Sequence, residues 1–477
     1  MAIRVTEVPL LDSTILLGPP GSGKSEVVRE KARREAAAAK RLFIDVREAL
    51  ATGSSLEELS RMVRNEPRRY YLYYELPLNE FVTEYLIAGR REAWEVLSLF
   101  STPGVTGTIV VDGLTRVLSD EAMSVLTSLL GDKRLGSSIA LGESVRVVAL
   151  GYPPEYGGPQ ELPPSLAARA TVIRVEPPTL EEWYWYMLER YSSTMPEHYA
   201  SLLSRARRAV EKGSEEIGVN ILAAPPEYFA GGAPTPRSWT RLVVALTRLY
   251  ERVRSGEMSV EDYRRHAAEV IRGTLGSKIA PIVEKYLIGG AITTDALIEL
   301  FRRGRDGLRD LLQEGLVEES ELRDDILEAI HGLDTLYAYR VLRSAIQALE
   351  ALHEYLRGAV DESQVAKSIE RFVRDAGGLL KEVRSLLEFI LASVTEANIR
   401  DVADVVFEVD DRLRETSLKL AKRVETIIRE ERRSLETGAE AGGERREEAL
   451  RLLDSLWDGF NRVLLSPYTP LRSLTMG

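Results

Sequence analysis

The sequence predicts an α/β fold, a parallel sheet flanked by helices, followed by an all-helical remainder. Three observations carry this. Short apolar runs rich in β-branched and aromatic residues recur up to about residue 175: STILL (13–17), LFIDV (42–46), YYLYYEL (70–76), TIVVD (108–112), VRVVAL (145–150) and TVIRV (171–175). Their length and content suit buried strands. Helix-like stretches separate several of them, the mark of crossover connections and a parallel sheet. Beyond Leu180 the strand signal disappears and the pattern becomes helical.

The first run stops at Gly18 and Pro19, and a helix-like stretch follows from Lys24 to about Lys40, with Val27 and Val28 on one face. This is strand–loop–helix. One of the runs 42–46 and 70–76 is expected to be the second sheet strand, and the other to belong to an insertion. EEWYWYMLERY (181–191) and the segment from Trp239 to Val253 read as helices, separated by the proline-rich APPEYFAGGAPTP (224–236). Past Gly290 the chain reads as helices with charged faces. ALRLLDSLWDGFNRVL (449–464) is amphipathic, and TGAEAGGE (437–444) reads as a linker. The expected division is an α/β domain over 1–180, a helical domain over 181–290 and a C-terminal helical domain over 291–477.

With 477 residues, 44% hydrophobic and 29% charged, the chain suits two or three globular domains. The net charge of -11 points away from a dedicated nucleic-acid coat. There is no cysteine, which excludes disulfides and thiolate metal sites. His198, His266, His331 and His353 are scattered, with no metal-ligand spacing. No apolar run reaches the ~18 residues of a membrane span, and MAIRVTEVPL lacks a signal-peptide layout. A cytoplasmic location without membrane insertion is the resulting expectation.

The segment Gly18-Pro19-Pro20-Gly21-Ser22-Gly23-Lys24-Ser25 satisfies G-x-x-x-x-G-K-[ST] in full. Glycines let backbone N–H groups turn inward around phosphate oxygens, and the helix that follows presents its positive end to the same anion. Lys24 can reach the β- and γ-phosphates, and Ser25 can ligate Mg²⁺. ATP with Mg²⁺ is the expected ligand. The run 108–112 ends in Asp112, which suits the second Mg²⁺-holding position of such sites.

Taken together, GPPGSGKS (18–25), TIVVDGLTRV (108–117), LLGDKRLGSS (129–138), VVALGYPPEYGGPQELPPSLAARA (147–170), EPPTLEEWYWYM (176–187) and TPRSWTRL (235–242) resemble the AAA+ ATPases of the MoxR and dynein-related branch, over about residues 8–290. The resemblance implies an AAA+ P-loop core and a helical lid over 181–290. It also implies a ring oligomer, usually a hexamer, that hydrolyses ATP to remodel a protein client, often with a von Willebrand A-domain partner. Arg169 falls at the arginine-finger position, reaching the γ-phosphate of a neighbouring subunit, and Arg237 at the second sensor position of the lid. Two positions depart from the family pattern. Gly113 stands where a water-polarising Glu follows the Asp, which leaves Asp120, Glu121 or Glu75 as substitutes or else slow hydrolysis. Tyr152 stands where the family has Asn, and is either a hydrogen-bonding sensor or loop packing. The second reading is therefore a nucleotide-binding regulatory or structural subunit with weak hydrolysis. The aromatic run Trp183–Tyr186 is expected in a helical core. Arg429, Arg432 and Arg433 are interrupted by Glu430 and Glu431, so no basic patch forms there.

Overall fold

A computed structural model of the chain describes residues 3–4, 7–78, 92–114, 120–135, 139–159, 161–288, 327–393, 399–437, 443–464 and 471. Residues 115–117 and 136–138 of the motifs above, Gln160, most of the 437–444 linker and the helices expected over 291–326 lie outside the described residues. The chain divides into two compact units. One comprises Met1–Thr179 with Thr235–Arg237, the other Leu180–Pro234 with Ser238–Gly477.

The first unit is built on a sheet whose strands are β1 (Ile3–Arg4), β2 (Ser13–Leu17), β3 (Leu42–Asp45), β4 (Tyr70–Pro77), β5 (Thr106–Leu114), β8 (Val145–Gly151) and β9 (Thr171–Glu176). Their order is β1-β9-β2-β8-β5-β4-β3, with every described pairing parallel. A two-residue ladder, β6 (Arg134–Leu135) with β7 (Ile139–Ala140), is antiparallel. Both apolar runs at 42–46 and 70–76 are strands of the main sheet. Neither belongs to an insertion: β4 lies between β5 and β3.

Successive strand residues feed opposite faces, as the period of two requires. Ile15, Leu17, Leu72, Tyr74, Ile109, Val111, Val147 and Ala149 join one buried cluster. Leu16, Tyr71, Tyr73, Val110, Val148 and Leu150 join another, with Val28, Ala32 and Ala36 of helix α1 (Lys24–Ala38). The first face is covered by α2 (Val46–Ala51), α3 (Leu56–Asn65), α4 (Glu92–Leu99), α5 (Asp120–Asp132) and the short α6 (Pro164–Ala167), through residues such as Val63, Leu97, Leu126 and Leu166. Burial on both faces explains why the strands read as continuous apolar runs rather than alternating ones. Local signals set helix starts: Ser55 and Glu58 form a reciprocal capping box at α3.

The second unit is helical throughout its regular structure among the described residues. It contains α7 (Leu180–Tyr191), α8 (His198–Ile217), α9 (Pro236–Arg254, from Ser238 onward), α10 (Val260–Leu275), α11 (Ala280–Leu287), α12 (Leu333–Leu356), α13 (Glu362–Ser393), α14 (Ile399–Thr437) and α15 (Gly443–Leu464). One hydrophobic cluster runs from Trp183 to Leu471 and takes in Leu453, Leu456 and Phe460 of α15. The apolar stripes of the C-terminal helices thus find mates within the chain. Trp183, Tyr184 and Trp185 are buried, whereas Tyr186, expected in the core with them, is exposed. Two large aromatic tips in this core are satisfied: Trp239 Nε1 donates to the Ile221 carbonyl at 2.7 Å, and the Tyr184 hydroxyl to Thr335 Oγ1 at 3.0 Å. No helix among the described residues is long and apolar enough to cross a membrane.

Candidate functional site

Parallel strands place their carboxyl ends on one side of a sheet, and ligands of open α/β sheets bind there. In this sheet Leu17 of β2 pairs with Gly151 of β8, and Leu150 of β8 with Asp112 of β5. Three neighbouring strand ends therefore present the 18–25 loop, Tyr152 and Asp112 to one place. A cavity of about 300 Å³ lies there, lined by Gly21, Ser22, Gly23, Lys24, Ser25, Pro77, Leu78, Asp112, Gly113, Leu114, Leu150, Gly151, Tyr152 and Arg237.

The loop needs its glycines. Gly21 and Gly23 have φ of 69° and 81°, in the left-handed region that other residues avoid. A side chain at Gly21 would meet Arg237 and Thr235 at about 3 Å, so the loop packs closely on the segment that brings Arg237 in. Gly18 is pressed against Val175, and its amide donates to the Gly151 carbonyl at 3.2 Å. Gly23 caps α1, whose first-turn amides have no partner within the helix and face the loop end.

Lys24 is almost wholly buried. Its ammonium donates to the carbonyls of Gly18 (2.8 Å) and Pro19 (2.9 Å) and to Ser22 Oγ (3.3 Å). The Tyr152 ring centroid is 5.1 Å from Nζ. Burial pushes the amine down to about 8; the Asp112 carboxylate opposes that shift and Arg237 adds to it. The loop amides, Lys24 and Arg237 can hold the oxygens of a phosphate chain. Ser25 and Asp112 offer the hard oxygen ligands that Mg²⁺ takes. Lining residues and loop conformation thus fit a magnesium–triphosphate group.

Gly113 is not an ordinary strand residue. The pairing of β5 with β8 shifts register between Asp112 and Leu114, and Gly113 has φ of 115°. The bulge demands glycine for conformational reasons, since a side chain would find space, with Leu78 Cβ at 3.8 Å. Glu75 does not line the cavity. Its Oε1 accepts from the Tyr73 hydroxyl at 2.6 Å and lies 3.5 Å from Arg29 Nη2, which also meets Asp45 at 3.0 Å. Asp120 and Glu121 are exposed at the start of α5, outside the lining. Among the described lining residues Asp112 is the one carboxylate.

Arg169 is also outside the lining. It follows α6 and pairs with Asp132 at 3.2 Å, with 41% of its side chain exposed. Gly131 of α5 lies against the Arg169 side chain, which would have to shift to admit a side chain there. Sequence reading missed the contact of Tyr152 with Lys24 and the bulge at Gly113; no local signal in either segment announces them. No cluster of three or more His, Cys, Asp or Glu suited to a metal exists among the described residues. No family model matches the chain, and no curated protein matches it.

Proposed function

We propose that this protein binds ATP with Mg²⁺ in the cavity at the carboxyl ends of β2, β8 and β5, as an AAA+ ring subunit of MoxR type. The observation that carries the reading is the convergence of Lys24, Ser25, Asp112 and Arg237 on one cavity, beneath a loop whose left-handed positions 21 and 23 favour glycine. In this reading the amides of Gly21–Ser25 and the first turn of α1 bind the β-phosphate region. Lys24 exchanges carbonyl partners for phosphate oxygens and orients the terminal phosphates. Arg237 contacts the γ-phosphate. The Ser25 hydroxyl and Asp112 carboxylate would hold Mg²⁺, which would supply charge neutralisation for the bound phosphates. Arg169, exposed and outside its own cavity, serves the site of a neighbouring subunit in a hexameric ring. The ring's nucleotide state then drives rearrangement of a protein client, and a von Willebrand A-domain protein is the partner class that the resemblance suggests.

A second reading is favoured by Gly113 and Glu75. A bulged glycine takes the position of the usual water-polarising glutamate, and the nearby Glu75 is engaged by Tyr73 and Arg29. A missing general base costs about 10²–10⁴ in rate. The subunit then binds ATP and hydrolyses it slowly, acting as a nucleotide-dependent regulatory element.

Titration calorimetry with Mg-ATP on wild type and Lys24→Ala tests the shared premise. Micromolar binding that disappears in the variant is expected, and equal binding by both proteins would refute it. Turnover measured on the assembled protein, with mass from light scattering, separates the readings. Turnover near ~1 s⁻¹ or above favours the motor, and turnover ~100-fold lower at saturating ATP favours the regulatory subunit.

A further inference from the structure

We propose that Tyr152 is a positioning residue for Lys24, its aromatic face holding the ammonium in register with the glycine loop. The inference deepens the nucleotide reading above and rests on it for its functional consequence. An ammonium has three donors, and those of Lys24 go to Gly18, Pro19 and Ser22, all within the loop. A cation this deeply buried has lost most of its hydration. The electron-rich face of a tyrosine within ~6 Å is one of the few neutral groups that can replace water without removing the charge. At 5.1 Å the Tyr152 ring does so.

The backbone that carries the ring is fixed. Its residue follows directly on β8, where the Gly151 carbonyl accepts from the Gly18 amide at 3.2 Å, so ring and loop share an anchor. On the other side Pro153 closes a tight turn, its carbonyl accepting from both Tyr156 and Gly158 amides. Gly158 rests on the Tyr152 carbonyl so closely that any side chain there would collide with it. The other charged groups facing Lys24 are Asp112 from β5 and Arg237 from the start of α9. Their charges are opposite, so Arg237 offsets part of the pull of Asp112, and the neutral ring adds a further contact to the three loop hydrogen bonds of the ammonium.

The test compares Tyr152→Leu and Tyr152→Phe with wild type in the full-length protein. ATP affinity by calorimetry is expected to fall about five- to tenfold in Tyr152→Leu and to stay at the wild-type value in Tyr152→Phe, because the ring and not the hydroxyl acts. The ¹³Cε signal of Lys24, assigned with Lys24→Arg, is expected upfield-shifted by the ring current in wild type and Tyr152→Phe and normal in Tyr152→Leu. Wild-type affinity in Tyr152→Leu, or equal loss in both variants, overturns the proposal. A wild type that binds no ATP sinks the nucleotide reading, and the lysine signal then decides this one alone: an unshifted signal in wild type overturns it.

Discussion

The hydroxyl of Tyr73 donates to Glu75 Oε1 at 2.6 Å, and the same oxygen lies 3.5 Å from Arg29 Nη2. Strand β4 thus directs its carboxylate toward α1 and away from the cavity. Burial, then the neighbouring Glu75 carboxylate, holds the Tyr73 phenol well above its usual range, so it remains a donor at all physiological pH. Glu75→Gln is expected to leave ATP turnover within twofold and to cost about 1–2 kcal/mol of stability through the weakened pairing with Arg29. A folded variant that has lost turnover by ~100-fold would identify Glu75 as the water-activating acid after all.

The Gly113 bulge gives a second expectation. At φ of 115° any other residue is strained regardless of space. Gly113→Ala should destabilise the first unit by about 1–2 kcal/mol in urea denaturation. Gly113→Glu should carry the same penalty and fail to raise turnover. A neutral effect of both substitutions would show that the bulge does not require glycine.

Lys24 should act against stability. Because burial disfavours its charged form, Lys24→Met is expected to raise the melting temperature of nucleotide-free protein while removing ATP affinity. A lower melting temperature would mean that the loop hydrogen bonds outweigh the desolvation.

Helical packing has its own pH signature. His331 lies beside Arg412, whose Nη2 is 3.3 Å from the imidazole Nδ1 and donates to the His331 carbonyl at 2.9 Å. Burial, and then the charges of Arg208, Arg412 and Lys212, push this imidazole down to about 3. The unfolded chain takes up a proton near the ordinary value of ~6.5 and the folded one does not, so stability falls as pH drops below that value. The loss is at most about 1.4 kcal/mol per pH unit down to about pH 3. In denaturation series at pH 7, 6 and 5, His331→Asn should flatten this slope. An unchanged slope would assign it to other groups.

Arg169 is half exposed and its ion pair with Asp132 is a surface one. Arg169→Ala should therefore change stability by less than ~1 kcal/mol and leave ATP affinity intact. Under the proposed ring-ATPase reading, turnover of the assembled protein should drop at least tenfold; full turnover in an assembly of unchanged mass would remove Arg169 from the finger role.

What could be read in advance follows from how local each feature is. Gly18–Ser25 is a contiguous pattern whose residue types are dictated by one turn, so both its place between strand and helix and its glycine conformations were accessible. Asp112 was legible as the end of an apolar run. The placement of β3 and β4 was not, because two apolar runs of similar character give no sign of which neighbour each will choose; pairing of Tyr71 with Thr106 or of Leu42 with Tyr70 is a long-range outcome. Nor could the sequence tell that Glu75 turns to Arg29 or that Tyr152 reaches Lys24. These depend on side-chain direction across strands far apart in the chain, to which periodicity is blind.

Thr235–Arg237 belongs with the sheet although more than fifty residues separate it from Thr179. A fragment cut at Thr179 would retain the glycine loop, Asp112 and Tyr152 yet lack the cover over Gly21 and the Arg237 that lines the cavity. Dissection of this protein by simple truncation would thus yield a sheet with a thinned ligand wall, and loss of binding by such a fragment would not count against the loop. The smallest contiguous piece with the full lining must extend through Arg237 and carry α7 and α8 along.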